Sequence, residues 1–165
     1  MVALIELLRV ANERWAVVKE AAAARCEEKG DLRLAAALRG CRMFKGDENL
    51  KELADLMFDP RAVEFMCRWG FPSISDFEDL GLYHPERFGI YINKGEVSLC
   101  GERRVLLVGN THGFLQYGGT SHGMVCLLHG AEAVVNAGGY SVVRVEKDAK
   151  SKASYNVSGK ARVLL

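Results

Sequence analysis

The sequence lacks the long apolar run and the charge excess that would direct a protein to a membrane or to nucleic acid. No stretch approaches the roughly 18 consecutive apolar residues of a membrane-spanning helix. Glu6 and Arg9 interrupt the apolar opening segment, which is therefore unlike a secretory signal peptide. Lys and Arg total 22 and Asp and Glu total 21, so no bulk charge favours an anionic partner. These absences predict a cytoplasmic protein without a membrane partner.

Paired motifs for metals, disulfides and phosphates are also missing. The cysteines are odd in number, widely spaced and never arranged as CxxC, which predicts free and mostly buried thiols. They are Cys26, Cys41, Cys67, Cys100 and Cys126. There is no HExxH motif, and no glycine-rich loop stands between a strand and a helix, as a phosphate-binding loop would. The sequence therefore predicts no metal and no cofactor.

Proline is scarce, and its distribution divides the chain. All 3 prolines lie before residue 89, and glycine becomes frequent after it. Near the start, apolar residues recur every three or four positions, as on one face of a helix. They are Leu4, Leu8, Ala11, Trp15, Val18 and Ala22. Asp31 is placed to cap a second helix and Pro60 to open a later one. Residues 1–88 are therefore predicted to form a helical cap region.

Residues 89–165 consist of short runs typical of β-strands, separated by Gly, Asn, Asp and Ser. An offset of 29 residues superimposes this half on itself, because Gly101, Gly130 and Gly159 are spaced by 29. The offset predicts two columns of stacked side chains: Val105, Val134 and Val163, and Val97, Cys126 and Tyr155. Each period holds three strands, which would build one coil of a parallel β-helix. About three coils are expected.

The predicted fold is α+β: the helical cap (1–88) covers the first coil of a short parallel β-helix (89–165). An antiparallel β-sandwich or meander is the alternative, since its strands have the same length and spacing. The 29-residue ladder of glycine and valine resembles the short right-handed β-helix domains of phage, surface and cytoskeletal proteins. This resemblance is architectural, and it implies no catalytic or ligand-binding residues.

The C-terminal residues suggest self-association. Arg162 is followed by Val163, Leu164 and Leu165, without a helix, proline or charged terminator after them. The last strand would then expose unpaired backbone groups and the end of an apolar column, which can template pairing with another chain. The main hypothesis is a non-enzymatic structural or protein-interaction module that forms a homodimer through Val163, Leu164 and Leu165.

Other functional hypotheses rest on side-chain chemistry. Residues 144–162 carry an excess of cations, which would suit a nucleic-acid-binding accessory protein. The cations are Arg144, Lys147, Lys150, Lys152, Lys160 and Arg162. The 29-residue offset also places Cys100 beside His129, a thiol and an imidazole that could serve as nucleophile and base in a small enzyme. A carbohydrate-active enzyme is a further option, although the strand half holds few carboxylates and no convincing pair.

Overall fold

The computed structural model describes residues 2–165, which form a helical region followed by a β-solenoid. The helices are α1 (Leu4–Glu28), α2 (Leu32–Gly40), α3 (Leu50–Met57), α4 (Pro60–Trp69), α5 (Ile74–Gly81) and a short 3₁₀ helix (Pro85–Phe88). The predicted order of helices before strands is therefore confirmed.

Local sequence signals begin and end the helices. The Asp31 side chain accepts a hydrogen bond from a backbone N–H in the first turn of α2. At the start of α3, Asn49 and Glu52 form a capping box, in which each side chain accepts from the other residue's backbone N–H. Pro60 occupies the first turn of α4. Gly70 ends that helix at a φ of 69°, in the left-handed region that glycine enters without strain.

The strands form two parallel sheets that the chain visits in alternation. The strands are β1 (Ile90–Ile92), β2 (Gly95–Cys100), β3 (Arg104–Val108), β4 (Thr111–Tyr117), β5 (His122–Leu128), β6 (Glu132–Ala137), β7 (Val142–Lys147), β8 (Lys152–Val157) and β9 (Arg162–Leu164). Sheet A has the order β1-β3-β5-β7-β9 and sheet B the order β2-β4-β6-β8. The result is a β-solenoid of about four turns, which confirms the parallel architecture and excludes the antiparallel alternative.

The solenoid has two strands per turn, so the predicted 29-residue coil of three strands is wrong. In sheet A, Val105 lies opposite Val125, and Val125 lies opposite Val145, which is a spacing of 20 residues. Val134, predicted to share a column with Val105, instead lies in sheet B opposite Phe114. Three consecutive strands make one and a half turns. An offset of 29 therefore superimposes the strands of one sheet on those of the other.

The second predicted column fails for the same reason. Val97, Cys126 and Tyr155 lie on three different strand pairs, opposite Gly113, Leu106 and Val135. The true period is visible in the turns that lead into sheet A, where the sequences GGTS, GGYS and SGKA begin at positions 118, 138 and 158. The second residue of each is a glycine with a left-handed φ of 58°, 62° or 61°. A turn that needs this backbone conformation recurs once per coil.

Sheet A is buried on both faces. Its inward side chains meet those of sheet B in the solenoid interior, whose fully buried members include Val105, Leu107, Leu115, Val125, Leu127, Val135 and Val143. Its outward side chains pack against the helical region, and they include Ile90, Ile92, Leu106, Val108, Cys126 and Leu128. Both parities of residues 104–108 are therefore buried, which accounts for the apolar character of β3 from Val105 onwards.

The helices cover the outer face of sheet A, whereas the sequence predicted that they cover only the first coil. Met66 of α4 and Phe77 of α5 belong to the same buried cluster as Leu128 of β5, in the third turn. At the N-terminal end of the solenoid, the 3₁₀ helix lies beside β1, and its Glu86 forms an ion pair with Lys94 just after that strand. The large helices therefore cover one side of the solenoid and the 3₁₀ helix flanks its first turn.

The outer face of sheet B is mainly polar and largely exposed. Its outward columns are Glu96, His112, Glu132 and Lys152; Ser98, Phe114, Val134 and Ser154; and Cys100, Gln116, Asn136 and Asn156. His112 Nδ1 lies 3.3 Å from Glu132 Oε2, and Asn156 Nδ2 donates to Asn136 Oδ1 at 2.8 Å. These cross-strand polar pairs support a sheet face that meets solvent.

Candidate functional site

The last turn of the solenoid leaves both of its strand edges unpaired within residues 2–165. β8 pairs only with β6, and β9 pairs only with β7. The Lys152 N–H donates to the carbonyl of Ala131, just before β6, at 3.0 Å. The Ser158 N–H donates to the carbonyl of Ala137, at the end of β6, at 2.9 Å. Because successive residues of a strand direct their N–H groups to opposite sides, those of Tyr155 and Val157 point away from β6. We call these two edges, with the side chains of Tyr155, Val157 and Val163, the open end.

The apolar side chains of the open end continue columns that are buried elsewhere. Tyr155 follows Leu115 and Val135 in one inward column of sheet B, and both of these are fully buried. Tyr155 itself is 39% exposed. In the next column, Val157 is 51% exposed, although Tyr117 and Ala137 before it are buried. The exposure arises because no further turn covers the last one in the described chain.

The structure separates the three residues predicted as an oligomer interface. Val163 lies opposite Val143 and is half-buried against the solenoid interior, so it belongs to the open end. Leu164 lies opposite Arg144 in an outward column of sheet A, and it is exposed. Leu165 follows β9 and is also exposed. Tyr155 and Val157 were missed, and the 20-residue turn signal would have placed them in the final coil.

The basic residues of segment 144–162 surround the open end and do not form a single strip. Lys147 and Lys150 lie at the β7–β8 connection. Lys152 lies on the outer face of sheet B and Arg162 on that of sheet A. Lys160 lies in the β8–β9 turn, with its Nζ 5.9 Å from the centroid of the Tyr140 ring.

Arg144, the remaining member of that basic set, forms an ion pair in which its Nε lies 2.9 Å from Glu146 Oε1. Asp148, the other acid of the segment, accepts hydrogen bonds from the backbone N–H groups of Lys150 and Ser151 in the β7–β8 turn. The other cations of the segment have no carboxylate within ion-pair distance in the described part of the chain. They give the last turn a net positive charge on several sides.

The structure does not bring Cys100 and His129 together. Cys100 ends β2 and lies opposite Gln116, whereas His129 precedes β6 and thus lies near the other end of the strands of sheet B. The His129 ring nitrogen Nε2 is 2.7 Å from the carbonyl oxygen of Pro72, and the ring lies edge-on to Phe77. His129 therefore joins the solenoid to the helical region, and no thiol–imidazole pair forms at this position.

The helical region contains an apolar pocket of about 290 Å³, open to solvent, between α1 and the later helices. Its aromatic lining includes Trp15 and Phe44, whose ring centroids are 5.8 Å apart. Lys19 also lines it, with Nζ donating to the Cys41 carbonyl at 2.7 Å and lying 4.1 Å from the centroid of the Trp15 ring. Burial, followed by the charge of Arg42, lowers the pKa of Lys19. Lys19 is thus already engaged by protein groups.

The structure offers neither a metal site nor a membrane-spanning helix among residues 2–165. Among residues 2–165, no three His, Cys, Asp or Glu side chains are grouped so that they could hold a metal ion. In the same part of the chain, no helix combines the length and apolar character needed to cross a bilayer.

No comparison with known proteins assigns this chain to a family. No protein-family model matches the sequence, and no significant match is found among curated proteins or among solved structures.

Proposed function

We propose that this chain is a non-enzymatic interaction module that forms a homodimer by joining the open ends of two copies. The observation that carries the proposal is the change in solvent exposure along an inward column of sheet B. Leu115 and Val135 are fully buried, whereas Tyr155 in the same column is 39% exposed. A second copy placed against β8 and β9 would cover the side chains that a further turn would cover, and would pair the free backbone groups.

A two-fold dimer suits this end better than head-to-tail stacking. A two-fold axis perpendicular to the solenoid axis reverses the strand direction, so the edges of two copies meet antiparallel and both become paired. Head-to-tail stacking would need the first turn of the next copy to be accessible. There the inward side chains of β2, Val97 and Leu99, are half-buried and so less exposed than Tyr155 and Val157. The Glu86–Lys94 ion pair also ties the 3₁₀ helix to the segment that follows β1. The two-fold arrangement closes after two copies.

The size of the open end predicts weak association. β8 has six residues, which is about 20 Å at about 3.3 Å per residue, and packed sheets lie about 10 Å apart. The end face is therefore on the order of 200–400 Å² per copy. A standard stable interface buries about 800 Å² per partner. We therefore expect a dimer whose population depends on protein concentration through the micromolar range.

The surrounding cations predict how salt affects this dimer. End-to-end contact brings Lys152, Lys160 and Arg162 of one copy towards the same residues of the other. Like charges at a partly hydrated interface repel one another, and salt screens that repulsion. Dimerisation should therefore strengthen as monovalent salt is raised through the physiological range.

The test is sedimentation equilibrium of the full chain from low micromolar to millimolar concentration, with two matched lysine variants. Tyr155→Lys places a charge inside the open end, whereas Ser154→Lys places the same charge on the outer face of the same strand. We expect the parent chain and Ser154→Lys to dimerise and Tyr155→Lys to remain monomeric. Circular dichroism checks that each variant is folded, which is expected because both positions are exposed.

Two results would overturn the proposal. One is a monomer mass for the parent chain at every concentration. The other is a mass that grows beyond two copies, which would indicate head-to-tail stacking. The double change of Val163 and Leu164 to Asp gives an independent check, because Val163 belongs to the open end. It should also abolish the dimer.

Five cysteines without disulfides agree with a reducing compartment, and the proposal accordingly places the module in the cytoplasm. Non-reducing mass spectrometry of the chain isolated from its own cells, with thiols blocked at lysis, tests this part. Disulfides between Cys26, Cys41 or Cys100 would contradict it.

A further inference from the structure

Two cysteines from distant parts of the chain meet where the helical region packs on the solenoid. Cys67 of α4 and Cys126 of β5 are 59 positions apart, and their Sγ atoms lie 4.0 Å from each other. Cys126 is fully buried on the outward face of sheet A, and Cys67 packs against the same apolar cluster while half-buried. The pair therefore spans the interface between the two regions, and one of its members has access to solvent.

The surroundings of the two thiols make them chemically unequal. The hydrogen bond from Cys126 lowers the pKa of Cys67, outweighing the effects of burial and of the nearby Asp148 and Glu146. The hydrogen bond to Cys67, together with burial, raises the pKa of Cys126 well above the ordinary thiol value. Because Cys67 reaches solvent and Cys126 is fully buried, Cys67 is the thiol that ionises first and Cys126 is the neighbour that keeps its proton.

We propose that Cys67 and Cys126 are a redox modification site, which a peroxide converts to a reversible disulfide joining α4 to sheet A. The proposal stands on the sulfur–sulfur distance and on the unequal burial of the two residues, and it does not depend on the proposed dimer. The sulfur atoms need to approach by about 2 Å to reach the length of a disulfide bond. The remaining cysteines have no thiol contact within the described residues.

The chemistry proceeds in two balanced steps. The Cys67 thiolate attacks one oxygen of hydrogen peroxide, so an S–O bond forms, the O–O bond breaks and hydroxide leaves, giving a sulfenic acid. The Cys126 sulfur then attacks the Cys67 sulfur and loses its proton, so the S–S bond forms and the S–O bond breaks. The leaving hydroxide takes that proton as water. The hydroxide from the first step takes up the proton that Cys67 released on ionising. The two thiols therefore lose two electrons in total, and the peroxide is reduced to two molecules of water.

The disulfide would fasten α4 to β5 and close a long loop of chain. A cross-link of this span reduces the conformational freedom of the unfolded chain, which raises stability. We therefore expect the oxidised protein to melt several degrees higher than the reduced protein. The open end lies at β8 and β9, outside the cross-linked elements, so oxidation should leave self-association unchanged.

The experiment treats the reduced full chain with equimolar hydrogen peroxide, blocks remaining thiols with N-ethylmaleimide, and maps peptides without reduction. We expect a linked Cys67–Cys126 peptide, a mass lower by two hydrogen atoms, and recovery of both thiols with dithiothreitol. Cys100→Ser is the matched control, because it removes an exposed thiol elsewhere. It should still form the link.

Two variants keep the proposal falsifiable. Cys67→Ser changes a half-buried residue and should abolish both the link and the rise in melting temperature. Cys126→Ala should leave Cys67 as sulfenic acid at equimolar peroxide and as sulfinic acid when at least two equivalents are added, because no partner thiol resolves the sulfenic acid. The proposal is overturned if the parent chain oxidises at Cys67 without linking to Cys126. It is also overturned if the disulfide that forms involves Cys100 of two copies.

Discussion

Adjacent valines of β6 provide the sharpest test of the two-strand turn. Val135 points into the solenoid interior and is fully buried between Leu115 and Tyr155 of neighbouring turns. Val134 points out from sheet B and is only half-buried, between Phe114 and Ser154. The 29-residue coil would instead place Val134 in the middle of a stacked valine column. The two arrangements therefore differ in which valine matters to stability.

The magnitudes follow from the burial of each side chain. Val135→Ala removes two buried methyl groups and leaves a cavity, which costs about 2 kcal/mol. At a urea m-value of about 2 kcal/mol per molar, the unfolding midpoint should fall by about 1 M. Val134→Ala loses partial packing and some strand propensity, so it should cost at most about 1 kcal/mol.

Aspartate variants sharpen the contrast. Val135→Asp would place a carboxylate in the apolar interior of the solenoid, and this costs a large share of the roughly 5–15 kcal/mol that stabilises a typical domain. Val134→Asp would point the same group towards solvent. Urea titration followed by far-ultraviolet circular dichroism measures all four variants. The reasoning is refuted if Val134→Asp unfolds the chain while Val135→Asp leaves it folded.

Two further predictions concern packing and pH. Gly123→Ala should lower the free energy of unfolding by about 1–3 kcal/mol, because the added Cβ would overlap the Tyr117 ring. Gly118→Ala is the control and should change the urea midpoint little, because a Cβ there meets nothing within 4 Å. Equal losses of stability in the two variants would contradict this packing. Hydrogen bonds from Lys51 and Arg104 lower the pKa of Asp55 in the folded chain. The ionised Asp55 carboxylate therefore stabilises the fold above the unfolded-state pKa, and this stabilisation is lost as the pH falls through the folded-state pKa. Asp55→Asn should therefore reduce the free energy of unfolding at neutral pH by less than about 1 kcal/mol, because both ion pairs are exposed. The melting temperature should fall slightly at neutral pH and the difference should vanish in acid; a difference that persists there would refute an ionic origin.

The helices could be predicted because their signals are local. Asp31, Pro60 and Gly70 act on backbone groups within a turn of their own positions, so a stretch of sequence contains both the signal and its effect. The strands were predictable for a similar reason. Short apolar runs bounded by glycine and polar residues have few ways to form regular structure, and their even spacing favours a solenoid.

The pairing of those strands could not be obtained from the same patterns. The strands of both sheets are rich in valine and leucine, so an offset of one and a half turns matches almost as well as a full turn. The resulting error moved Val134 into a buried column and placed Cys100 beside His129. The left-handed glycines at positions 119, 139 and 159 carry the correct period, because a turn geometry repeats with the coil whatever the strand sequence.

The sequence by itself was enough to predict the order of helices and strands, the parallel solenoid and the free thiols. Each of these depends on local pattern or composition. Only the tertiary structure decided that the helices cover sheet A, that Tyr155 and Val157 lie at an uncovered column end, and that Cys67 meets Cys126. These contacts join residues far apart in the chain. They depend on the length of each turn and on how two surfaces fit, and no short stretch of sequence contains that information.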